Sequence, residues 1–118
     1  MEDNMTPQKI TRSQTVHHGR EGVDGYYYQL PDVANGTTIA YAEFTGEHGE
    51  RTIGERERIY YILDGQGTFV VNGETFEVHK DDLIPVPPHA TYNLFPKEGT
   101  TLKVLLYMEY LDFDNLPK

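Results

Sequence analysis

The 118-residue sequence contains no cysteine. Disulfide bonds and thiolate metal sites are therefore excluded, and the fold must be stabilised by its core or by association with another chain. Long apolar runs are also missing, because charges and glycines interrupt every apolar stretch well before the roughly 20 residues that a membrane-spanning helix needs. A membrane is therefore not expected as a partner. A chain of this length is typical of one domain around one hydrophobic core.

Positive charge is scarce, since 10 Lys and Arg stand against 19 Asp and Glu and give a formal net charge of −9. This charge repels phosphate backbones, so nucleic acid is not expected as a partner either. Solubility is the simplest role for it. Residues 1–5 are acidic and lack the basic segment and apolar run of a secretion signal, which predicts a cytoplasmic protein.

Sustained helical periodicity is absent, because no segment keeps an apolar stripe with a 3.6-residue period for three turns. Instead, apolar and polar residues alternate with a period of two in segments rich in β-branched and aromatic residues, which predicts strands. The sequence therefore indicates an all-β domain. We expect strands at residues 25–30, 37–44, 56–63, 67–71, 75–79, 82–86, 91–95 and 102–110.

The chain is expected to form a single barrel with two appended ends. Residues 1–24, with Pro7, Gly19 and Gly22, are interpreted as an N-terminal arm, residues 25–111 as the barrel and residues 112–118 as a C-terminal tail. Many short strands with no helix to cover them favour a sandwich or closed barrel, which protects strand edges.

Glycine and proline mark the predicted turns and one edge strand. Asn72-Gly73 lies between two alternating segments and supplies the positive φ angles of a two-residue hairpin. Gly65 and Gly67 mark another tight reversal, so residues 56–79 are expected to form a three-stranded meander. Pro85 predicts an edge or rim strand, because proline donates no ladder hydrogen bond.

The last predicted strand is apolar on both faces, unlike a strand with one wet face. Its outer side must be covered by another sheet, by the N-terminal segment or by a second copy of the protein. The last alternative predicts a homodimer, formed by strand exchange or by face-to-face packing of sheets. One face carries Leu105 and Tyr107, and the other carries Leu102, Val104, Leu106 and Met108.

Glycine and proline spacing carries a family resemblance. Residues 60–67, 71–74 and 80–88 resemble the cupin superfamily, whose members are small jelly-roll β-barrels. The resemblance covers residues 37–110 and implies a single-domain, cupin-type jelly-roll β-barrel. The family's first motif, Gly-x5-His-x-His-x3,4-Glu-x6-Gly, falls on Gly46, Thr52, Gly54, Arg58 and Gly65. The second, Gly-x5-Pro-x-Gly-x2-His-x3-Asn, falls on Asp81, Pro87, His89, Tyr92 and Pro96.

The resemblance also implies which residues replace the metal ligands of the family. Metal-dependent cupins hold iron, manganese, nickel or zinc with three His and one Glu, and those positions here carry Thr52, Gly54, Tyr92 and Arg58. A guanidinium has no lone pair to offer and stays charged, so Arg58 would repel a divalent cation. We therefore expect no metal and no other cofactor.

The replacing residues predict a basic and aromatic pocket. Alternate side chains of a strand share a face, so an inward Arg58 also directs Arg56 and Tyr60 into the barrel. Arginine forks and tyrosine rings suit a carboxylate, a phosphate or a sugar that bears one. The predicted ligand-binding residues are Arg56, Arg58, Tyr60, Thr52 and Tyr92, with Tyr26, Tyr27 or Tyr28 closing the other side.

A structural alternative exists for the two arginines, which would pair at the barrel rim with Glu43, Glu55 or another surface acid. Among the histidines, His17 and His18 are expected in the solvated arm, His48 in a turn and His79 at a strand end. A displaced metal site built from His48, His89 and Glu55 or Glu57 stays open as an alternative.

Four function classes remain. The leading interpretation is a metal-independent cupin that binds an anionic or sugar-like small molecule. The first alternative is a metal-free isomerase, epimerase or lyase acting on a sugar-type substrate, with Tyr92 or Tyr60 as proton donor and His89 as base. The second is a structural dimerisation module with a vestigial pocket, and a metal dioxygenase or decarboxylase comes last. No Gly-rich phosphate loop, Gly-x-Ser-x-Gly elbow or zinc-protease helix is present.

Overall fold

The computed structural model describes residues 9–28 and 37–109, and these residues form strands joined by short turns. A single turn of 3-10 helix, Arg12–Gln14, precedes the first strand. The strands are β1 (Val16–Arg20), β2 (Val23–Tyr28), β3 (Thr37–Phe44), β4 (Arg51–Thr52), β5 (Arg58–Asp64), β6 (Gln66–Val71), β7 (Glu74–His79), β8 (Leu83–Val86), β9 (Thr91–Pro96) and β10 (Leu102–Glu109).

The strands form two antiparallel sheets that enclose the hydrophobic core. The larger sheet has the order β1-β2-β3-β10-β5-β8, and the smaller has the order β4-β9-β6-β7. Some neighbours within a sheet are far apart along the chain, as when β3 and β5 flank β10. This arrangement confirms the predicted all-β, jelly-roll barrel. Within the described residues, no helix has the length and apolar character that crossing a bilayer would require.

Alternation of side chains sets the inner and outer faces of each strand. In β3, Thr38, Ala40, Ala42 and Phe44 are buried, whereas the intervening Ile39 is only half-buried. β5 follows the same rule, because Tyr60 and Ile62 are buried at 1% and 0% exposure. The predicted phase of β5 was therefore correct from its first residue onwards.

The predicted hairpin between β6 and β7 is confirmed, and the meander is wrong. Asn72 and Gly73 have φ angles of 50° and 84°, and Val71 pairs with Glu74 across the turn. β5, however, belongs to the larger sheet and β6 to the smaller one. The chain changes sheets at Gly65, which has a φ of 92°, and an added Cβ there would lie 2.5 Å from the Thr101 carbonyl oxygen.

The sheet of the barrel begins earlier in the chain than the sequence predicted. Strands β1 and β2 pair with each other from Val16 onwards, and β2 pairs with β3. The sheet therefore starts before residue 25, inside the segment interpreted as an arm. β1 carries the polar sequence Val-His-His-Gly-Arg and is mostly exposed, so no alternation marks it as a strand. Residues 1–8 of that arm and the predicted tail, 112–118, lie outside the described residues.

The edge strand and the last strand occupy the expected places. β8, which contains Pro85, lies at one edge of the larger sheet. β10 lies at its centre, with one face in the core and with Leu105 and Tyr107 exposed at 38% and 39% on the other. The N-terminal turn covers part of this outer face, because the Arg12 guanidinium stacks 4.1 Å above the centre of the Tyr41 ring.

Candidate functional site

A cavity of about 410 Å³ opens between the larger sheet and the chain segment that leads into β4. Small side chains on β2 and β3 create this space, since Gly25, Ala40 and Ala42 stand where larger residues would fill it. The volume lies within the range of about 300–1,000 Å³ that is usual for small-molecule pockets. The cavity is lined by His18, Arg20, Val23, Gly25, Tyr27, Ala40, Ala42, Phe44, His48, Arg51, Arg58, Tyr60, Leu106, Met108 and Glu109.

Gly25 also shapes the wall of the cavity by admitting the Tyr27 ring. A Cβ at residue 25 would lie 2.8 Å from Cε1 of Tyr27. The ring is therefore folded against the β2 backbone, and burial raises the pKa of its hydroxyl. Tyr27 is thus the member of the Tyr26 to Tyr28 run that closes the far side of the pocket.

Arg58 connects the cavity to a carboxylate at the end of β10. Its Nη2 donates to Oε2 of Glu109 at 3.2 Å, and its Nη1 donates to Oη of Tyr92 at 3.2 Å. Burial acts to lower the pKa of Arg58, but Tyr92 and Glu109 outweigh it, so the pKa lies above its ordinary value. Nε of Arg58 and Oε1 of Glu109 are buried without a partner among the described residues. The ion pair therefore leaves part of its hydrogen-bonding capacity unused.

The two buried tyrosines extend this network. The hydroxyls of Tyr60 and Tyr92 are 2.5 Å apart, and each residue is only 1% exposed. Burial, followed by the effect of Tyr92, raises the pKa of Tyr60 well above its usual value. Tyr60 reaches the cavity wall, whereas Tyr92 lies behind it. A chain of contacts thus runs from Glu109 through Arg58 and Tyr92 to Tyr60.

His48 contributes a neutral imidazole to the cavity. Its Nδ1 lies 2.7 Å from the Gly49 carbonyl oxygen, which can only accept, so Nδ1 carries the proton and Nε2 keeps its lone pair. Burial lowers the pKa of His48 to about 4, and the charges of Arg51, Arg20 and Arg58 act in the same direction. The ring contacts Tyr92 and Phe44, with centroids 5.3 and 5.8 Å away.

The structure brings together three of the five predicted ligand residues. Arg58, Tyr60 and Tyr92 form the network at the cavity, and their role in ligand binding stays a prediction. Arg56 precedes the first residue of β5 and is exposed, so the alternation of the strand does not extend to it. Thr52 is exposed and its hydroxyl lies 2.6 Å from that of Thr91. The neighbouring Arg51 lines the cavity instead.

The predicted base, His89, lies away from the cavity. It is exposed, has a φ of 66°, and its backbone nitrogen donates to the Gly54 carbonyl oxygen at 2.8 Å. His17 on β1 pairs with Asp24 on β2 at 3.1 Å. His18, on the same strand as His17, lines the cavity. The structure therefore does not place His89 at the cavity, whereas His18 and His48 lie in its wall, and the role of His89 as a base stays a prediction.

The residues at the family's ligand positions do not fit a divalent cation. Arg58 is a cation held by Glu109, Gly54 has no side chain, and Thr52 is exposed. The alternative site is not assembled either, because the described part of the chain contains no group of three or more His, Cys, Asp or Glu that could hold a metal ion. Among the described lining residues, the chemistry available at the cavity is that of arginine, tyrosine, imidazole and one carboxylate.

Several cavity residues were not found from the sequence. Arg20 lies on the unpredicted β1, and Glu109 reaches Arg58 across 51 residues of sequence. His48 lies in an irregular segment, where no period of two indicates the direction of a side chain. The glycines around it, Gly46 and Gly49, gave the only signal, and they indicated a turn.

Comparison with known proteins places these observations in a family. Residues 44–107 match the cupin domain family. The chain is 33% identical over 79 residues to the uncharacterized protein MJ1618 of Methanocaldococcus jannaschii, an alignment that covers 64% of this chain and 63% of that protein. The chain therefore spans less than two thirds of the length of this relative.

Solved structures with the same fold include Pac13 of Streptomyces, a nucleoside dehydratase. A tyrosine-to-phenylalanine variant of it with uridine is 25% identical, with a TM-score of 0.76, and the match covers 89% of this chain and 83% of that one. KdgF from Halomonas is 14% identical, with a TM-score of 0.75, and the match covers 93% of this chain and 100% of that one. Together with the two-sheet barrel, the family match shows that this chain belongs to the cupin domain family.

Proposed function

We propose that the protein is a metal-independent cupin that binds a sugar-like small molecule, of the size of a nucleoside, in the cavity of its barrel. The observation that carries the proposal is the cavity itself, a space of about 410 Å³ in which Arg58, Tyr60 and His48 meet a wall of apolar side chains. Binding pockets for small molecules have this composition, a mostly apolar surface with a few convergent polar groups.

The polar groups suit hydroxyl-bearing ligands. Tyr60 and His48 each provide a neutral hydrogen-bonding atom, and the unused Oε1 of Glu109 can accept from a hydroxyl group after a small movement of the side chain. The Tyr27 ring offers a flat apolar surface against which a sugar or base can stack. Pac13, which shares the fold at 25% identity, has uridine in its structure, and this supports a nucleoside as the first ligand to test.

A thermal-shift and calorimetric screen of nucleosides, sugars and their anionic derivatives tests this proposal. We expect at least one compound to bind the wild type. Ala42→Leu should abolish that binding, because the added carbons enter the cavity from β3, while the protein stays folded. Ile39→Leu, on the outer face of the same strand, is the matched control. Binding that survives in Ala42→Leu would locate the ligand outside the barrel and contradict the proposal.

A lyase that eliminates water is the second candidate function, and neutral His48 favours it. Its Nε2 lone pair can take a proton from a carbon of the ligand. Tyr60 can donate its hydroxyl proton to the leaving hydroxyl when Tyr92 in turn donates to Tyr60. A C–H bond and a C–O bond then break, a C=C bond forms and water leaves. Pac13, described as a nucleoside dehydratase, supports this class of reaction.

Mass spectrometry of ligands incubated with the protein tests the lyase directly. Elimination removes one water from the ligand, and this loss should disappear in His48→Gln while the ligand still binds. Ligands recovered unchanged from the wild type would leave binding as the function and contradict the lyase.

We also propose that the protein is cytoplasmic and forms a homodimer through the outer face of the larger sheet. On that face Leu105 lies between Tyr41 and Tyr61, and Tyr107 lies between Ile39 and Ile59. These cross-strand neighbours form an apolar surface that a second copy would cover. Light scattering should give twice the mass of 13.5 kDa, and Leu105→Lys should give the monomer. A monomeric wild type would refute the dimer.

A further inference from the structure

The wall of the cavity has a charge opposite to that of the whole chain. Among the residues that the structure describes, this wall contains three arginines and one glutamate, Arg20, Arg51, Arg58 and Glu109, which together carry a formal charge of +2 with the histidines neutral. The chain as a whole carries −9. Acidic side chains are thus abundant on this protein, yet only one of those in residues 9–28 and 37–109 is found in the cavity wall. A cationic pocket in an acidic protein indicates a site for an anion.

The three arginines differ in how far the protein itself satisfies them. Arg58 is held by Glu109 and by Tyr92, and its side chain is only 14% exposed. Arg20 and Arg51 are exposed, and no carboxylate in residues 9–28 or 37–109 lies within ion-pair distance of either. The guanidinium of Arg20 donates from Nη2 to the His48 carbonyl oxygen, which uses one of its five N–H groups.

The positive charges of Arg20 and Arg51 both affect the pKa values of His48 and Tyr27, although the two arginines lie on strands of different sheets. Both charges oppose protonation of His48, in addition to the larger effect of burial on its pKa. Both also act on Tyr27, where they oppose the rise in pKa caused by burial. β1 supplies Arg20 at one edge of the larger sheet, and β4 supplies Arg51 at one edge of the smaller sheet. Both side chains line the same cavity, so they border a single opening.

We propose that Arg20 and Arg51 form an anion subsite at the mouth of the cavity, which holds the phosphate or carboxylate group of a sugar-like ligand. The neutral part of the ligand lies deeper, against Tyr27 and Tyr60. This inference rests on the proposed binding function and assigns the anionic group to residues other than Arg58. Arg58 is already neutralised by Glu109. The exposed guanidinium groups of Arg20 and Arg51 can each bind two oxygen atoms of a phosphate or carboxylate in a bidentate manner.

Two pairs of neutral and anionic compounds test the subsite by calorimetry. Uridine and uridine 5′-monophosphate examine the phosphate, and glucose and glucuronate examine the carboxylate. We expect the wild type to bind at least one anionic member about tenfold or more tighter than its neutral partner, because charge-assisted bidentate contacts are strong. In the double variant Arg20→Gln/Arg51→Gln this preference should vanish, with the affinity for the neutral compound changed less than twofold.

The double variant Lys80→Gln/Lys97→Gln is the matched control, because it removes the same total charge from exposed positions outside the cavity. It should keep the preference for the anionic compound. Equal affinity for both members of each pair in the wild type, or a preference that persists without the two arginines, would overturn the subsite alone. Absence of binding for all four compounds would overturn the subsite, and the screen with Ala42→Leu decides the binding function separately.

Discussion

The two ends of the barrel interior share strands β5 and β10 but differ in what fills them. At the filled end, Phe69, Ile62 and Leu94 are each 0% exposed and belong to the hydrophobic core. At the open end, Ala40 and Ala42 turn toward a cavity that contains charged and polar side chains. β5 and β10 run through both regions, because Ile62 and Val104 are fully buried in the core whereas Tyr60 and Leu106 line the cavity.

This comparison separates stability from function within one small domain. Apolar burial contributes about 25 cal/mol for each Å² removed from water, so the fully buried side chains of the filled end contribute strongly to the stability of the fold. The open end forgoes that contribution and carries an ion pair with unused hydrogen-bonding atoms at Arg58 and Glu109. Such an arrangement costs stability and is expected where a ligand completes the site.

The largest expected effect is at the filled end. Phe69→Ala should lower the free energy of unfolding by about 3–5 kcal/mol, because it leaves a hole in close-packed surroundings. Ala42→Leu, at the open end, should change it by less than about 1 kcal/mol, since the cavity accommodates the added carbons. Urea denaturation measures both. Similar losses for the two variants would show that the two ends do not differ in packing.

The next largest expected effect is the loss of stability when His48 is protonated. The unfolded chain takes up a proton at a pKa of 6.5, whereas the folded protein does so at about 4. The unfolded state therefore binds more protons between these values, and stability falls as the pH drops from 6.5 to 4. The loss reaches at most about 3 kcal/mol.

The control for this pH dependence is His48→Gln, which has no proton to take up. Its free energy of unfolding, measured by urea denaturation at several pH values, should fall less steeply over the same interval. Equal slopes for the variant and the wild type would show that His48 titrates normally in the folded protein.

Alternation and turn chemistry allowed most of the filled end to be predicted from the sequence. The bounds of β3 were predicted as observed, 37–44, and Asn72-Gly73 forms its hairpin. Local rules suffice there, because each strand shows its inner face by its own apolar residues. They failed at Gly65, where a local turn signal could not show that the chain passes from one sheet to the other.

The open end was predicted only where a strand extends into it. The phase of β5 placed Arg58 and Tyr60 correctly, but the same phase was carried two residues too far, to Arg56. His48 and Arg51 lie where the chain is irregular or only briefly extended, so period two gives no direction. Glu109 becomes a partner of Arg58 only when the barrel closes, and no local pattern contains that contact.

The smallest expected effect concerns the ion pair of the open end, and a double-mutant cycle measures it. Arg58→Leu leaves Glu109 partly buried without its donor, whereas Glu109→Gln leaves the guanidinium without its anion. Because the two side chains are 14% and 34% exposed, solvent reduces the loss below that of a fully buried pair. We expect each single variant to lose about 1–3 kcal/mol.

The coupling within this cycle decides what Arg58 does. If the pair with Glu109 neutralises the arginine, Arg58→Leu/Glu109→Gln should be about 1–2 kcal/mol more stable than the sum of the single losses predicts. Binding of the anionic ligand should then depend less on Arg58 than on Arg20 and Arg51. Additive losses, together with abolished anion binding in Arg58→Leu, would instead make Arg58 the principal anion-binding residue. The proposed difference in role between the Arg58–Glu109 pair and the exposed Arg20 and Arg51 would then be wrong.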